Sequence, residues 1–272
     1  MQVSVIIPSM KGREAMLQKL LSTIPDEYEK IVVDDENLLL AAKRNKGARQ
    51  AKGQYLLFID DDNYLAPDAI EAALQLAERT GIGVVGLMAC YDDKKYLIAD
   101  GGSKRNYLTG FTKGINTNRF WLKAFKDGPY EVDEIANAFM MHSVLFFELN
   151  GFDEKNFPID LDEADFCKRA KNTGLKIMMC QAARCFHKSQ TYSHIPNFRR
   201  EKSAYFLSRN IVLYQRKHLN ALSFGVFVAF FLPIRVCFYL FALVRYQNFQ
   251  MILPMMKGYF DGIINRRENK YQ

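Results

Sequence analysis

Four short apolar runs, each followed by a stretch long enough for a helix, restrict this chain more than any other feature. VSVIIP (3–8), YLLFID (55–60) and IGVVGLMA (82–89) are apolar almost throughout, and KIVVDD (30–35) has an apolar centre. A half-exposed strand alternates apolar and polar residues, whereas a strand covered on both faces does not. The segments 11–22, 38–52 and 67–80 between them predict helices, the last with Pro67 in its first turn. The result is a βαβ series, and hence an α/β fold with a mostly parallel central sheet flanked by helices. No GxGxxG follows the first strand, which weighs against an ordinary dinucleotide-binding domain.

Sheets of this kind bind ligands at the carboxyl ends of their strands. Pro8, Asp34, Asp35 and the triplet Asp60, Asp61, Asp62 all fall there. Two carboxylates about 4 Å apart repel by roughly 4 kcal/mol at an effective dielectric near 20. Three in a row therefore require neighbouring positive charge or full solvation. A plain polar turn is one reading, since Asn63 and Pro67 are turn and helix-start residues. Two further groups change the balance. Asp162, Glu163 and Asp165 lie in DLDEADFCKRA, and His187 follows an apparent strand in AARCFH. Carboxylates with one imidazole suit a hard or borderline divalent ion, Mg2+ or Mn2+.

The stretch 100–135 is rich in Gly, Asn, Lys and Thr and reads as a long, partly mobile segment, with the only tryptophan, Trp121, inside it. Composition excludes disorder: 49% of residues are hydrophobic and 25% charged. The five cysteines form no CxxC pair, so a disulfide framework and a zinc site are both disfavoured and a reducing compartment is expected. The N-terminus enters a strand pattern at once, and no signal peptide is expected.

Charge divides the chain. From residue 197 onward there are 12 Lys or Arg against 3 Asp or Glu, while the preceding 196 residues are slightly acidic. Within this tail RREKSAYFLSRNIVLYQRKH reads as a basic amphipathic helix. SFGVFVAFFLPIRVCFYLFALV (223–244) is long enough to span a bilayer but holds Pro233 and Arg235. Arginine at a helix centre costs roughly 2.5–3.5 kcal/mol on insertion scales, and both flanks are basic. A broken helical pair lying in one leaflet of an anionic membrane satisfies these facts better than a single span. The expected domains are therefore 1–196, with a nucleotide half (1–100) and an acceptor half (101–196), and a membrane-associating helical region at 197–272.

Taken in order, VSVIIPS, IVVDD, AAKRNKGARQAKGQYLLFIDDD, NGFDE, DEADFCKRAKNTG and CFH resemble the family 2 glycosyltransferases of GT-A fold, most closely the rhamnosyltransferase-like branch. The resemblance implies a nucleotide diphosphate sugar as donor and inverting transfer to a hydroxyl of a glycan or lipid-linked glycan at the cytoplasmic face of the membrane. It assigns Pro8, Ser9, Asp34 and Asp35 to the nucleotide pocket, and Lys43, Arg44 and Asn45 to the diphosphate. Asp60 and Asp62 become the outer acids of the DxD motif, Asp61 lies between them against the donor, and His187 is a further metal or diphosphate contact. The general base falls on Glu163 or Asp162, because DEAD reverses the family's usual Glu-Asp order. The short ENLLL link after IVVDD also departs from the family. No nucleic-acid partner is implied. A nucleotidyltransferase of similar sheet and a catalytically silent sugar-nucleotide binding protein are the alternatives. A phosphatase with an Asp nucleophile is disfavoured, because Tyr64 stands where that family has Thr or Val.

Overall fold

Each expected strand and helix forms within a few residues of its predicted place. The computed structural model describes residues 2–188 and 200–266. Its first elements are β1 (Val3–Pro8), α1 (Glu14–Leu21), β2 (Glu29–Val33), α2 (Leu40–Gln50), β3 (Tyr55–Ile59), β4 (Asn63–Leu65), α3 (Ala69–Ala77) and β5 (Ile82–Tyr91). There follow β6 (Ile98–Asp100), β7 (Ser103–Arg105), β8 (Thr112–Gly114), α4 (Trp121–Lys126), β9 (Tyr130–Val132), β10 (Ala138–His142) and α5 (Ser143–Glu148). The chain continues through α6 (Asp162–Asn172), β11 (Lys176–His187), α7 (Glu201–His218), α8 (Ala221–Val226), α9 (Leu232–Arg245) and α10 (Ile252–Ile263).

The main sheet runs β2-β1-β3-β10-β5-β11-β4. β1 pairs parallel with β2 and β3, and β5 parallel with β11, while β10 enters antiparallel between β3 and β5. The sheet is covered on both faces. Val3, Val5 and Ile7 of β1 pack with Leu20 of α1 and with Ala69, Ile70 and Ala73 of α3. Ile6 points the other way, into a cluster with Ala41 and Ala48 of α2, Phe146 of α5 and Phe166 of α6. This two-sided burial is the reason the strand sequences lack alternation. Gly47 lets α2 lie close on β1: a Cβ there would come within 2.5 Å of Ile6 Cγ2.

The chain divides into two units, one from Met1–Lys104, Lys113–Asp153 and Glu163–Thr191, the other from Arg105–Thr112, Glu154–Asp162 and Tyr192–Gln272. The expected boundary between 196 and 197 lies outside the described residues.

Three readings of the sequence need correction. Residues 100–135 are built into structure rather than loose: the Trp121 indole N–H donates to Gln181 O at 2.8 Å, and the Arg184 guanidinium lies 3.8 Å from the centre of its ring. α7 is not a surface amphipathic helix, for its residues Arg209, Asn210 and Gln215 are fully buried. They satisfy main-chain carbonyls within the second unit: Arg209 donates to Asn156 O at 2.7 Å, and Asn210 donates to Ile159 O and Asp160 O. Finally, Pro233 does not break the apolar segment. A π-helical turn at Phe227–Phe231 precedes it, and Ala221–Arg245 runs on as one helical stretch of 25 residues. Widening the turn before a proline relieves its clash with the preceding carbonyl.

Within the second unit α10 crosses α7 through Gly258 and Gly262, where any Cβ would strike Tyr205, Ser208 or Val212. The Tyr205 hydroxyl donates to the buried Asp261 carboxylate at 2.8 Å. Along the long helix Phe230, Ile234, Phe238 and Phe241 are all more than half exposed. Their spacing of three or four places them in one stripe.

Candidate active site

The site is assembled where β1, β2, β3 and β11 end. The acid triplet leaves β3 directly, and the Asp60 amide donates to Asn137 O at 3.0 Å. β4 then pairs antiparallel with β11 in a register that sets His187 opposite Asn63. This pairing brings His187 Nε2 to 3.5 Å from Asp62 Oδ1.

The three carboxylates differ in their partners, although Asp61 and Asp62 share Arg13. Asp60 Oδ1 accepts from Arg44 Nη2 at 2.8 Å. Asp61 is buried and accepts from Ser9 Oγ, from the Met10 amide at 2.8 Å and from Arg13 Nη1 at 2.7 Å. Asp62 receives the same Arg13 nitrogen at 3.0 Å and faces His187. The triplet is therefore paired with two arginines and faced by a histidine of the chain itself. Burial, with Glu163 and Asp62 adding to it against the pull of Arg44, pushes the Asp60 carboxyl up to about 6. At Asp62 burial is outweighed by His187 and Arg13, and the net shift is downward. At His187 burial lowers the pKa, but Asp62, Asp60 and Asp100 overcome it and the net shift is upward.

Arg44 also reaches the acids of α6. Fully buried itself, it donates from Nη1 to Glu163 Oε1 at 2.8 Å and so joins Asp60 to the candidate base. Glu163 keeps 14% of its side chain exposed, whereas Asp162 is completely buried. The third acid of this group, Asp165, is paired with Arg169 at 2.8 Å.

The other expected site residues divide. Pro8 and Ser9 close β1, and Ser9 is tied to Asp61. Asp34 is exposed just beyond β2, and Asp35 is paired with Lys46 at 2.9 Å. Lys43 and Asn45 turn inward instead. The Lys43 ammonium donates to Ser9 O, and the Asn45 amide bonds both the N–H and C=O of Phe152 at 2.9 Å. The KRN of α2 thus clamps β1, the acid groups and the NGFDE loop together.

Three residues were not found from sequence. Arg13 lies in the loop after β1. Asp100 accepts from the Gly102 amide and from Asn137 Nδ2, and burial raises its pKa, with Glu163 adding to the shift. Asn137 holds a left-handed conformation at φ 67° opposite Asp60. No sequence signal marks Asp100 or Asn137, because only the pairing of β10 and β6 beside β5 brings them in. Arg13 carries a weak one, a cation just past a strand's carboxyl end.

Among the described residues no group of three His, Cys, Asp or Glu side chains is gathered as a metal cage. The donor set still fits a divalent ion of the Mg2+ or Mn2+ kind, which takes one or two protein carboxylates and completes its shell with substrate phosphates. Asp62 and His187, 3.5 Å apart, are of the donor types such a partial set would need.

A mixed sheet of this order, acids at its carboxyl edge and helices on both faces define a protein of the GT-A class. Residues 9–130 match the profile of Glycosyl transferase family 2. EpsH of Bacillus subtilis (strain 168), a glycosyltransferase by name, is 28% identical over 126 residues, which cover 42% of this chain and 37% of EpsH. The match thus spans little more than a third of that relative. Two solved structures share the fold. The mannosyltransferase PcManGT of Pyrobaculum calidifontis, in complex with GDP-Man and Mn2+, superposes with a TM-score of 0.58 at 13% identity, over 97% of this chain and 88% of its own. Staphylococcus aureus TarS (1–349) with UDP-GlcNAc gives 0.52 at 17% identity, over 85% and 72%. None of these singles out the rhamnosyltransferase-like branch.

Proposed function

We propose that this chain is an inverting, metal-dependent glycosyltransferase that moves a sugar from a nucleotide diphosphate sugar to a hydroxyl of a glycan or lipid-linked glycan. The observation that carries the reading is the convergence of Asp60, Asp62, His187 and Glu163 at one sheet edge, linked by Arg44 and Arg13. Ser9, Asp34 and Asp35 at the ends of β1 and β2 are the proposed contacts of the nucleoside. Asp62 and His187, with Asp60 beside them, would hold Mg2+ or Mn2+, which when bound offsets charge growing on the departing diphosphate. The protein's own part is to hold these acids in register and to take a proton.

Glu163 is the proposed general base. Its side chain is partly exposed and reaches Arg44, whereas the fully buried Asp162 offers no open face to an acceptor hydroxyl. A base acts only within hydrogen-bond reach of the proton it removes. The paired Arg44 holds Glu163 in place until the acceptor arrives. Asp162 then serves the start of α6.

The second unit is proposed to attach the protein to the cytoplasmic face of an anionic membrane. Its long helix exposes the Phe230–Phe241 stripe, and Arg235 has protein partners that spare it from lipid: Gly110 O and the Tyr239 hydroxyl, each at 3.5 Å. Basic residues near the surface contribute about 1 kcal/mol each toward anionic lipid.

The deciding experiment is a panel of nucleoside diphosphates and their sugars, with and without Mn2+, read by thermal stabilisation and then by turnover of the stabilising donor. A metal-dependent stabilisation that Asp62→Asn abolishes supports the reading. Nucleotide affinity unaltered by chelator and by Asp62→Asn argues against it.

A further inference from the structure

Arg13 does more in the site than link two acids. Arg13 stands in the loop between β1 and α1, where a single guanidinium nitrogen lies 2.7 Å from Asp61 Oδ1 and 3.0 Å from Asp62 Oδ2. The two acids are not equivalent. Asp61 is 1% exposed and is also held by Ser9 Oγ and the Met10 amide, so it anchors the loop. Asp62 keeps 19% of its side chain exposed and faces His187 on its other oxygen. Arg13 itself is 30% exposed, so its guanidinium has room to leave Asp62 while staying on Asp61.

We propose that Arg13 is a resident counter-cation that competes with the divalent ion for Asp62 and so makes metal binding depend on the donor diphosphate. The inference rests on the reading that Asp62 and His187 hold the ion. A divalent ion arriving alone must displace a fixed positive charge from its own ligand, and Arg13 then has lost one of its two carboxylates. A diphosphate changes both halves of this exchange. It adds oxygen ligands to the ion, and it offers the guanidinium fork a new pair of anionic oxygens to bind. Metal and nucleotide therefore enter together, and Asp62 is never left as an unneutralised carboxylate.

The test is Mn2+ binding to the full chain, read from the EPR signal of free Mn2+, first alone and then with a saturating nucleoside diphosphate from the panel. Arg13→Gln should bind Mn2+ alone about tenfold or more tightly than the unsubstituted protein, since a unit charge at such range dominates a partly buried site. With nucleotide present the advantage should shrink to about threefold or less, or reverse, because the variant has lost a phosphate partner. Equal or weaker Mn2+ binding by Arg13→Gln alone would overturn the proposal. A second measurement needs no variant: the side-chain 15N resonance of Arg13 should move when Mg2+ and nucleoside diphosphate are added together. A resonance that stays in place when both are bound would equally overturn it. If neither protein takes up Mn2+ even with nucleotide, the metal reading itself fails and this inference with it. Uptake with nucleotide by both, at equal affinity for Mn2+ alone, sinks only the inference.

Discussion

Replacing Arg44 by methionine tests the electrostatic logic of the site without reference to turnover. Arg44 is fully buried and makes two charge-assisted hydrogen bonds of 2.8 Å, to Asp60 and to Glu163. Bonds to charged groups contribute about 1.5–3 kcal/mol each. Removing one member of a buried ionic group costs about 3–5 kcal/mol, because the remaining charge is left without compensation. Asp60 and Glu163 retain 24% and 14% side-chain exposure and can regain some water, and methionine fills part of the space. The expected loss is therefore about 3 kcal/mol at pH 8, near the lower end of that range.

Its pH dependence has a definite sign. The folded Asp60 carboxyl already lies near 6, above its ordinary 3.8, so its ionisation opposes folding. Such a group costs nothing below its unfolded pKa, and the cost builds as pH rises through the folded value. Loss of Arg44 raises the folded value further. Arg44→Met should thus cost least near pH 5 and most near pH 8. Urea unfolding in the presence of a chelator, at both pH values, measures this directly, and Arg44→Met/Asp60→Asn closes the cycle. A cost below about 1 kcal/mol at pH 8, or one that grows toward acid, would refute the argument.

Other expectations can be checked independently. Glu163→Gln should keep metal and nucleotide binding while transfer at saturating donor falls by about 10²- to 10⁴-fold, with Asp162→Asn less damaging to the chemical step; the reverse ranking would move the base to Asp162. Gly47→Ala should lower stability by about 1–3 kcal/mol in thermal or urea unfolding, since the new methyl meets Ile6 where α2 crosses β1; an unchanged midpoint would mean that the helix shifts freely. Phe238→Asp combined with Phe241→Asp should release the protein from anionic vesicles in a flotation assay, each lost aromatic removing about 1.5–3 kcal/mol of apolar burial. Retained flotation would place the membrane contact elsewhere.

The backbone frame was legible from residue order because burial on both faces leaves a direct mark. β1, β3 and β5 are apolar almost throughout, β2 is apolar in its last three residues, and the helices between them fill the remaining length. The acid triplet was equally visible, since its position behind an apolar strand follows from the sequence alone. The antiparallel entry of β10 was not, because its residues look the same whichever neighbour they pair with. That pairing decides that Asn137 and Asp100 join the site. The KRN run shows the same limit. Sequence reveals three polar residues on a helix, suited to a diphosphate, but the packing of α2 turns Arg44 toward Asp60 and Glu163, Lys43 toward Ser9 and Asn45 toward Phe152. Sequence therefore determined which charges exist and at which strand ends they stand. Tertiary structure decided which of them meet, because a buried charge takes its partner from across the fold, over separations such as the 119 positions between Arg44 and Glu163 that no local pattern encodes.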